Sequence, residues 1–434
     1  MRTRVRYLIV FMIFFASTVN YAVRATLSIT GSDISKELGL NAVAMGYVFS
    51  AFGWSYVLAQ VPSGWLLDRF GSKRVYGFGL LFWSIFTFGQ GFARHFGVTG
   101  ALWLLLTLRL LLGIAEGPVF PANSRIVAAW FPTAERGTAS AIFNSSQYFA
   151  LVLFSPIMGW ITHAFGWPYV FYAMGGLGIV LTIAWWKLVY SPSEHPRISE
   201  SELQYIAEGG GLVNMDDRKT ERNSAGPNWG YIRQLLGNRM LLGVYMGQYC
   251  ITGLTYFFLT WFPVYLVEAR HMSILKVGFV AAIPAVCGFV GGLLGGVASD
   301  WLLRKGYSLT FARKLPIVAG MLMSMAIVAC NYVHVLVAII AVMALAFFGK
   351  GFGALGWAVV ADTSPKQIAG LSGGVFNMFG NVAAITTPIV IGYILNATGS
   401  FNWALVFVAA NGLGALLSYL LVVGEIKRVE LRTS

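Results

Sequence analysis

Twelve runs of about twenty apolar residues divide this 434-residue chain, and they restrict its fold more than any other feature. They fall at roughly 6–30, 43–67, 74–94, 100–128, 136–160, 168–190, 240–267, 274–302, 314–333, 335–361, 369–396 and 402–424. A soluble domain carries about a quarter charged residues. Here the share is 11%, against 57% hydrophobic, which excludes a soluble globular enzyme. The expected fold is all-α and integral to a membrane, with twelve transmembrane helices arranged as two six-helix bundles.

The formal net charge of +13 would suit a nucleic-acid binder, but its placement points elsewhere. With the N-terminus set in the cytoplasm, twenty-two of the thirty Lys and Arg residues fall in cytoplasmic segments. Only Lys36, Arg94, Arg270 and Lys276 fall in outward loops. This positive-inside bias predicts a multi-pass protein with both termini cytoplasmic, embedded in lipid and making no use of nucleic acid. The cysteines Cys250, Cys287 and Cys330 lie in apolar runs without metal-ligand spacing, so neither a metal nor a cofactor is expected. Arg2, Arg4 and Arg6 precede an apolar run that continues past twenty residues with no small-residue cleavage site, so the first helix is expected to be retained.

A polar stretch at 191–239 separates the halves, giving an N-terminal bundle at 1–190, a cytoplasmic linker at 191–239 and a C-terminal bundle at 240–434. The linker is expected to be solvated, with short amphipathic helices near 200–207 and 231–236 on the membrane surface. The halves repeat each other. Gly64, Asp68, Arg69, Gly71, Lys73 and Arg74 follow the second run, while Gly296, Asp300, Arg304, Lys305 and Gly306 follow the eighth. Phe143, Asn144 and Pro156 in the fifth run recur as Phe376, Asn377 and Pro388 in the eleventh. Parallel six-span repeats are a transporter architecture. The run from Gly64 to Arg74 resembles the loop signature of the major facilitator superfamily. In it, glycine is expected to allow close helix approach and Asp68 to pair with cations or cap a helix at the cytoplasmic gate.

Ionisable groups at bilayer depth mark pathways. Arg24, Arg109, Glu116 and Lys350 lie within the runs, and Glu116 is the single acid among those four. Three cations with one acid suit a site that attracts an anion and titrates once. Arg109 and Glu116 share a helix face, seven residues apart, and Asn123 continues the stripe. An Arg–Glu pair that merely ties helices together is the plain alternative. Against it, Pro118 and Pro121 break the helix, and broken helices line transporter cavities. Arg24 suits bidentate capture of a carboxylate. Tyr56, Asn144, Gln147, Asn377 and Asn381 suit either hydroxyls of a sugar-like ligand or hydrogen bonds between helices. Trp357 is a candidate wall or gate, and Lys350 is either structural or functional. The five histidines are expected in loops, leaving Glu116 as the candidate proton carrier.

The segments from Asn20 to Ser28, Arg109 to Arg125, Phe131 to Gly137, Phe143 to Tyr148 and Ala346 to Trp357 are similar to motifs of the anion:cation symporter family. Within it the chain resembles bacterial glucarate/galactarate permeases. That resemblance implies alternating-access proton symport of a C6 sugar diacid at the bacterial inner (plasma) membrane, by a protein that works as a monomer. It implies a carboxylate held at Arg24, hydroxyls read by Tyr21, Tyr56, Gln147 and Asn377, and coupling through Arg109 and Glu116. One position departs: the family pattern has Asp where this chain has Val23, which cannot titrate. A dianion entering against an interior-negative potential costs about 4.6 kcal/mol per 100 mV. With Glu116 as sole carrier, coupling is expected to be impaired and accumulation poor. Carriage of sugar monoacids (galactonate or a hexuronate) and a non-transporting anion sensor are the alternatives. A membrane enzyme is disfavoured, since no HExxH or paired-carboxylate arrangement occurs.

Overall fold

The computed structural model describes residues 4–132, 135–214, 229–365 and 369–430, and every regular element among them is helical. The first half holds α1 (Val5–Leu38), α2 (Ala42–Phe70), α3 (Ser72–Gln90), α4 (Val98–Glu116), α5 (Val119–Trp130), α6 (Arg136–Phe165) and α7 (Trp167–Leu188). The linker forms α8 (Glu200–Glu208) and α9 (Trp229–Gly237). The second half holds α10 (Arg239–Thr260), α11 (Phe262–Glu268), α12 (Ile274–Arg304), α13 (Leu309–Met325), α14 (Leu336–Phe352) and α15 (Gly356–Thr363). It ends with α16 (Ala369–Thr398) and α17 (Asn402–Leu417), the last continued by one π turn at Ser418–Val422.

Three expected spans are broken rods, each for a legible reason. Span four splits into α4 and α5 because Pro118 has no N–H to continue the ladder. Span seven bends by 47° between α10 and α11, where Pro263 sits in the first turn of the second piece. Span ten divides into α14 and α15 at Gly353-Ala-Leu-Gly356. Among the described residues ten stretches are long and apolar enough to cross a membrane, and α10 with α11 makes an eleventh. The remaining expected span is α3, whose Lys73, Arg74, Ser84, Thr87 and Gln90 dilute its apolarity although it packs along α4 and α7.

The chain forms two compact units, Met1–Gly39 with Ala51–Ser224, and Leu40–Ser50 with Ala225–Ser434. In the first, α1 lies on α6 and α3 on α7. In the second, α12 lies on α14 and α10 on α16. Gly288 and Gly351 bring α12 and α14 so close that a Cβ at either would meet backbone of the other, the small-residue packing of membrane helices. The opening of α2 belongs to the second unit: the Phe49 ring lies 5.2 Å from Trp261, and the Tyr47 and Tyr393 hydroxyls are 3.2 Å apart. Large apolar side chains such as Leu58, Trp103 and Val297 are exposed while Arg109, Glu116, Asn123 and Lys350 are buried. That distribution fits a protein whose solvent is a bilayer.

The linker departs from the solvated segment expected, since α8 is docked in the first unit. Glu202 is fully buried and accepts the Val5 and Arg6 backbone N–H groups at 3.0 and 3.3 Å. These are donors that the start of α1 leaves unpaired, and a carboxylate there also complements the helix dipole. Arg6 pairs with Glu135 at 3.2 Å, and the Tyr205 hydroxyl donates to the same carboxylate at 2.6 Å. The expected helices near 200–207 and 231–236 are α8 and α9.

Candidate functional site

Arg24, in the middle of α1, donates its Nε–H to Glu116 Oε2 at 2.7 Å, at the very end of α4. The carboxylate is fully buried and the Arg24 side chain is 9% exposed. Helix spacing on α4 places Arg109 two turns before Glu116, also buried and close enough to act on its charge. The Arg24 guanidinium carbon lies 4.6 Å from the Phe52 ring centre, 4.8 Å from Tyr56 and 5.0 Å from Tyr21. Phe52 and Tyr56 stack at 5.1 Å, and Tyr21 meets Phe120 edge-on at 5.8 Å. Aromatic faces stabilise a cation that has been taken out of water. The arrangement is a caged guanidinium shared between a carboxylate and π faces.

Val23, beside Arg24, is buried and contributes only apolar volume. Asn123 on α5 is buried and donates its amide to the Ser17 hydroxyl at 2.8 Å, tying α5 to α1. Among the described residues, Gln147 and Asn144 on α6 make no bond between helices of the kind weighed from sequence. Their amides donate within their own helix, to Asn144 O at 3.2 Å and Ser140 O at 2.9 Å. Tyr21, Arg24, Tyr56, Arg109, Glu116 and Asn123 thus belong to one neighbourhood in the first unit, and Gln147 and Asn144 lie on α6, whose Phe143 ring is 6.4 Å from Phe120.

In the second unit, the Asn381 amide donates to the Asn377 side chain at 3.1 Å, and the Tyr256 hydroxyl donates to Asn381 at 3.2 Å, joining α10 to α16. Trp357, 55% exposed, stands edge-on to Phe376 at 5.0 Å. Lys350 is buried near the end of α14 with its ammonium 5.3 Å from the Phe347 ring centre. The histidine expectation needs two corrections: His163 lies in the last turn of α6, because the helix continues to Phe165, and His95 closes a short 3₁₀ helix at Gly91–His95.

At the loop signature, Gly64 has nothing within 4 Å of where a Cβ would sit, so it makes no close helix approach. Gly71 caps the start of α3 with φ 80° and ψ 160°, a conformation that belongs essentially to glycine. Arg69 and Arg74 are exposed, the former over Trp65 at 5.2 Å, while the Asp68 side chain lies outside the described residues. In the second half Arg313 joins Asp362 at 2.8 Å and Asp300 at 3.5 Å. Sequence reasoning passed over that pairing because α12, α13 and α15 bring together residues far apart in the chain.

Residues 13–355 match the Major Facilitator Superfamily. The chain belongs to this family. Among its relatives, the probable galactarate/D-glucarate transporter GudP of Bacillus subtilis is 63% identical, covering 99% of this chain and 94% of that protein. The D-galactonate transporter of an Escherichia coli O6:H1 strain is 43% identical over 98% of this chain and 97% of that protein. A solved bacterial homologue of the human lysosomal transporter Spinster shares the fold, with a TM-score of 0.73 at 17% identity, 98% of this chain and 95% of that one covered. As a member of the Major Facilitator Superfamily, this protein is a multi-pass membrane transporter rather than an enzyme.

Two polar groups beside the Arg24–Glu116 pair escaped the sequence reading as site residues. Asn20 and Ser17 are both buried and precede Arg24 by four and seven residues, on one face of α1. Their spacing was a usable signal. Phe52 gave none, because one aromatic among many carries no mark of lying over a cation.

Proposed function

We propose that this chain imports a C6 sugar diacid, galactarate or glucarate, by proton symport through alternating access in the bacterial inner membrane. The observation that carries this reading is the buried Arg24–Glu116 pair at 2.7 Å inside a cage of Tyr21, Phe52 and Tyr56. The 63% identity to a probable galactarate/D-glucarate transporter supports the substrate class. An arriving carboxylate competes with Glu116 for the Arg24 fork. Once Arg24 turns to the substrate, Glu116 is a buried carboxylate short of its partner and takes up a proton. Substrate and proton thereby raise each other's affinity, as linkage requires.

On this reading Arg24, Tyr21, Tyr56 and Gln147 serve the substrate in the first unit, with Trp357 and Asn377 in the second. Arg109 and Glu116 serve proton coupling. Asn123, Asn144, Lys350 and Asn381 are polar lining, and Gly64, Asp68, Arg69, Gly71 and Arg74 form a gating loop. The protein works as a monomer in lipid, with bundles at 1–190 and 240–434, a linker at 191–239 and cytoplasmic termini. Val23, where the anion:cation symporter pattern has Asp, leaves one proton for two substrate charges and impairs coupling. The 43% identity to a D-galactonate transporter favours a sugar monoacid as the second reading.

The test is uptake of labelled glucarate and galactonate into proteoliposomes, with and without an inward proton gradient, by this chain and by Val23→Asp. The expected outcome is glucarate uptake by both, with strong gradient-driven accumulation only after Val23→Asp. Equal accumulation by both makes Glu116 sufficient and removes the role given to Val23. Galactonate uptake without glucarate uptake selects the monoacid reading.

A further inference from the structure

Buried polar groups continue past Glu116 toward the end of the first unit where α1 begins. Asn20 lies beside the Glu116 carboxylate. One turn earlier on α1, Ser17 accepts the Asn123 amide at 2.8 Å. The Tyr76 hydroxyl, on the second turn of α3, faces both Ser17 and Asn123. Asn20, Ser17, Asn123 and Glu116 are fully buried, and Tyr76 is 1% exposed. Among the described residues, Glu116 Oε1, both amide atoms of Asn20, Asn123 Oδ1 and the Tyr76 hydroxyl make no hydrogen bond of full geometry, although Asn20 comes within reach of Glu116, and Ser17 and Asn123 within reach of Tyr76.

Such atoms are costly to bury, and a file of them is out of place among membrane helices. Interhelical fastening accounts for the Asn123–Ser17 bond. Buried water held by two to four polar groups is the usual remedy, and these side chains supply that number of donors and acceptors. The direction is informative too. Asn123 lies on α5, seven residues beyond Glu116 and across the α4–α5 break. Tyr76 stands one turn from Ser72, the opening residue of α3, with its ring stacked on Trp185 at 4.2 Å. The file therefore leads from the acid at the α4–α5 break to the end of the unit at which α1 and α3 begin.

We infer that Asn20, Ser17, Asn123 and Tyr76, with water between them, form a proton relay that carries the Glu116 proton to the α1 N-terminal end of the first unit. This rests on the reading of Glu116 as proton carrier and gives that proton its exit. When substrate leaves, Arg24 returns to Glu116 and the carboxylic acid releases its proton. Water and the hydroxyls of Ser17 and Tyr76 each accept a proton on one side and give up their own on the other. One proton emerges at the aqueous end, and Glu116 remains as a carboxylate paired with Arg24. Asn20 and Asn123 do not transfer protons; they orient the hydroxyls and water.

The relay is tested with Tyr76→Phe, which keeps the ring stack, and Ser17→Ala, with Ser17→Thr as the variant that keeps a hydroxyl. Each is reconstituted with a pH-reporting dye inside the vesicles. Substrate counterflow, in which the carrier shuttles without releasing its proton, is measured alongside. The expected result is a split: gradient-driven uptake and proton arrival slow at least about tenfold in Tyr76→Phe and Ser17→Ala, counterflow is kept, and Ser17→Thr restores the rate. Proton arrival at the parent rate in both hydroxyl-deleting variants overturns the relay while leaving Glu116 as carrier. Equal loss of uptake and counterflow, unrescued by Ser17→Thr, makes these residues structural and also overturns it. A parent chain that moves substrate without protons overturns the relay together with the symport reading.

Discussion

The Arg24 guanidinium works through its shape as well as its charge. Its Nε–H meets Glu116 at 2.7 Å while the guanidinium carbon lies within 5.0 Å of three ring centres. Lysine keeps the charge and loses the fork. Arg24→Lys is therefore expected to weaken substrate binding by about 2 kcal/mol, about 30-fold in Kd, measured by calorimetry on the purified protein. Glu116→Gln leaves the Arg24 cation buried without its acid. It is expected to destabilise the protein by about 3 kcal/mol, seen as a lower Tm in detergent, and to abolish gradient-driven uptake while counterflow persists. Gradient-driven accumulation by the Gln variant would remove Glu116 from the coupling scheme.

At the scale of elements, the linker is held by specific groups rather than by chain length. His195 is buried edge-on to Trp130 and Tyr190, and its Nδ1 accepts the Arg197 N–H at 3.1 Å. Burial pushes its imidazole below the ordinary histidine value, against a smaller opposing effect from a backbone contact at Leu188; the nearby charges are Arg197, Glu202 and Lys73. The docked form thus favours neutral imidazole, and an undocked linker takes up a proton more readily. Its contribution to docking is present above the ordinary histidine pKa, about 6.5, and is lost as pH falls below that. Hydrogen exchange at 191–198 is expected to speed up between about pH 7.5 and pH 5.5, and His195→Gln to remove that dependence. Flat exchange in the parent protein would exclude the effect.

At the scale of the whole molecule, the count of charge per cycle decides what the membrane potential does. One proton with a dianion moves one net negative charge inward. An interior-negative potential of about 100 mV opposes this by about 2.3 kcal/mol, so the accumulation ratio is expected to fall about 50-fold. Clamping vesicles with potassium and valinomycin measures it. A ratio indifferent to potential would mean that two protons travel with the substrate. Val23→Asp is expected to remove most of the dependence by supplying the second site.

What the chain determined by itself is whatever depends on composition and local spacing. Apolar run length set the helices, because an isolated span must satisfy its own backbone in lipid. Prolines 118 and 263 set two breaks, and the seven-residue spacing put Arg109 and Glu116 on one face. Repeated loops at Gly64 and Gly296 marked the duplication, and the family followed from them. Tertiary structure alone decided which partners meet. Arg24 closes on Glu116 across 92 residues, Glu202 caps α1 across 197, and Arg313 reaches Asp362 across 49. The same is true of Asn144 and Gln147, whose polar character was plain but whose bonds stay within α6. A side chain's type declares that burial will demand a partner. Which partner it finds depends on how helices distant in sequence pack, and no local spacing encodes that.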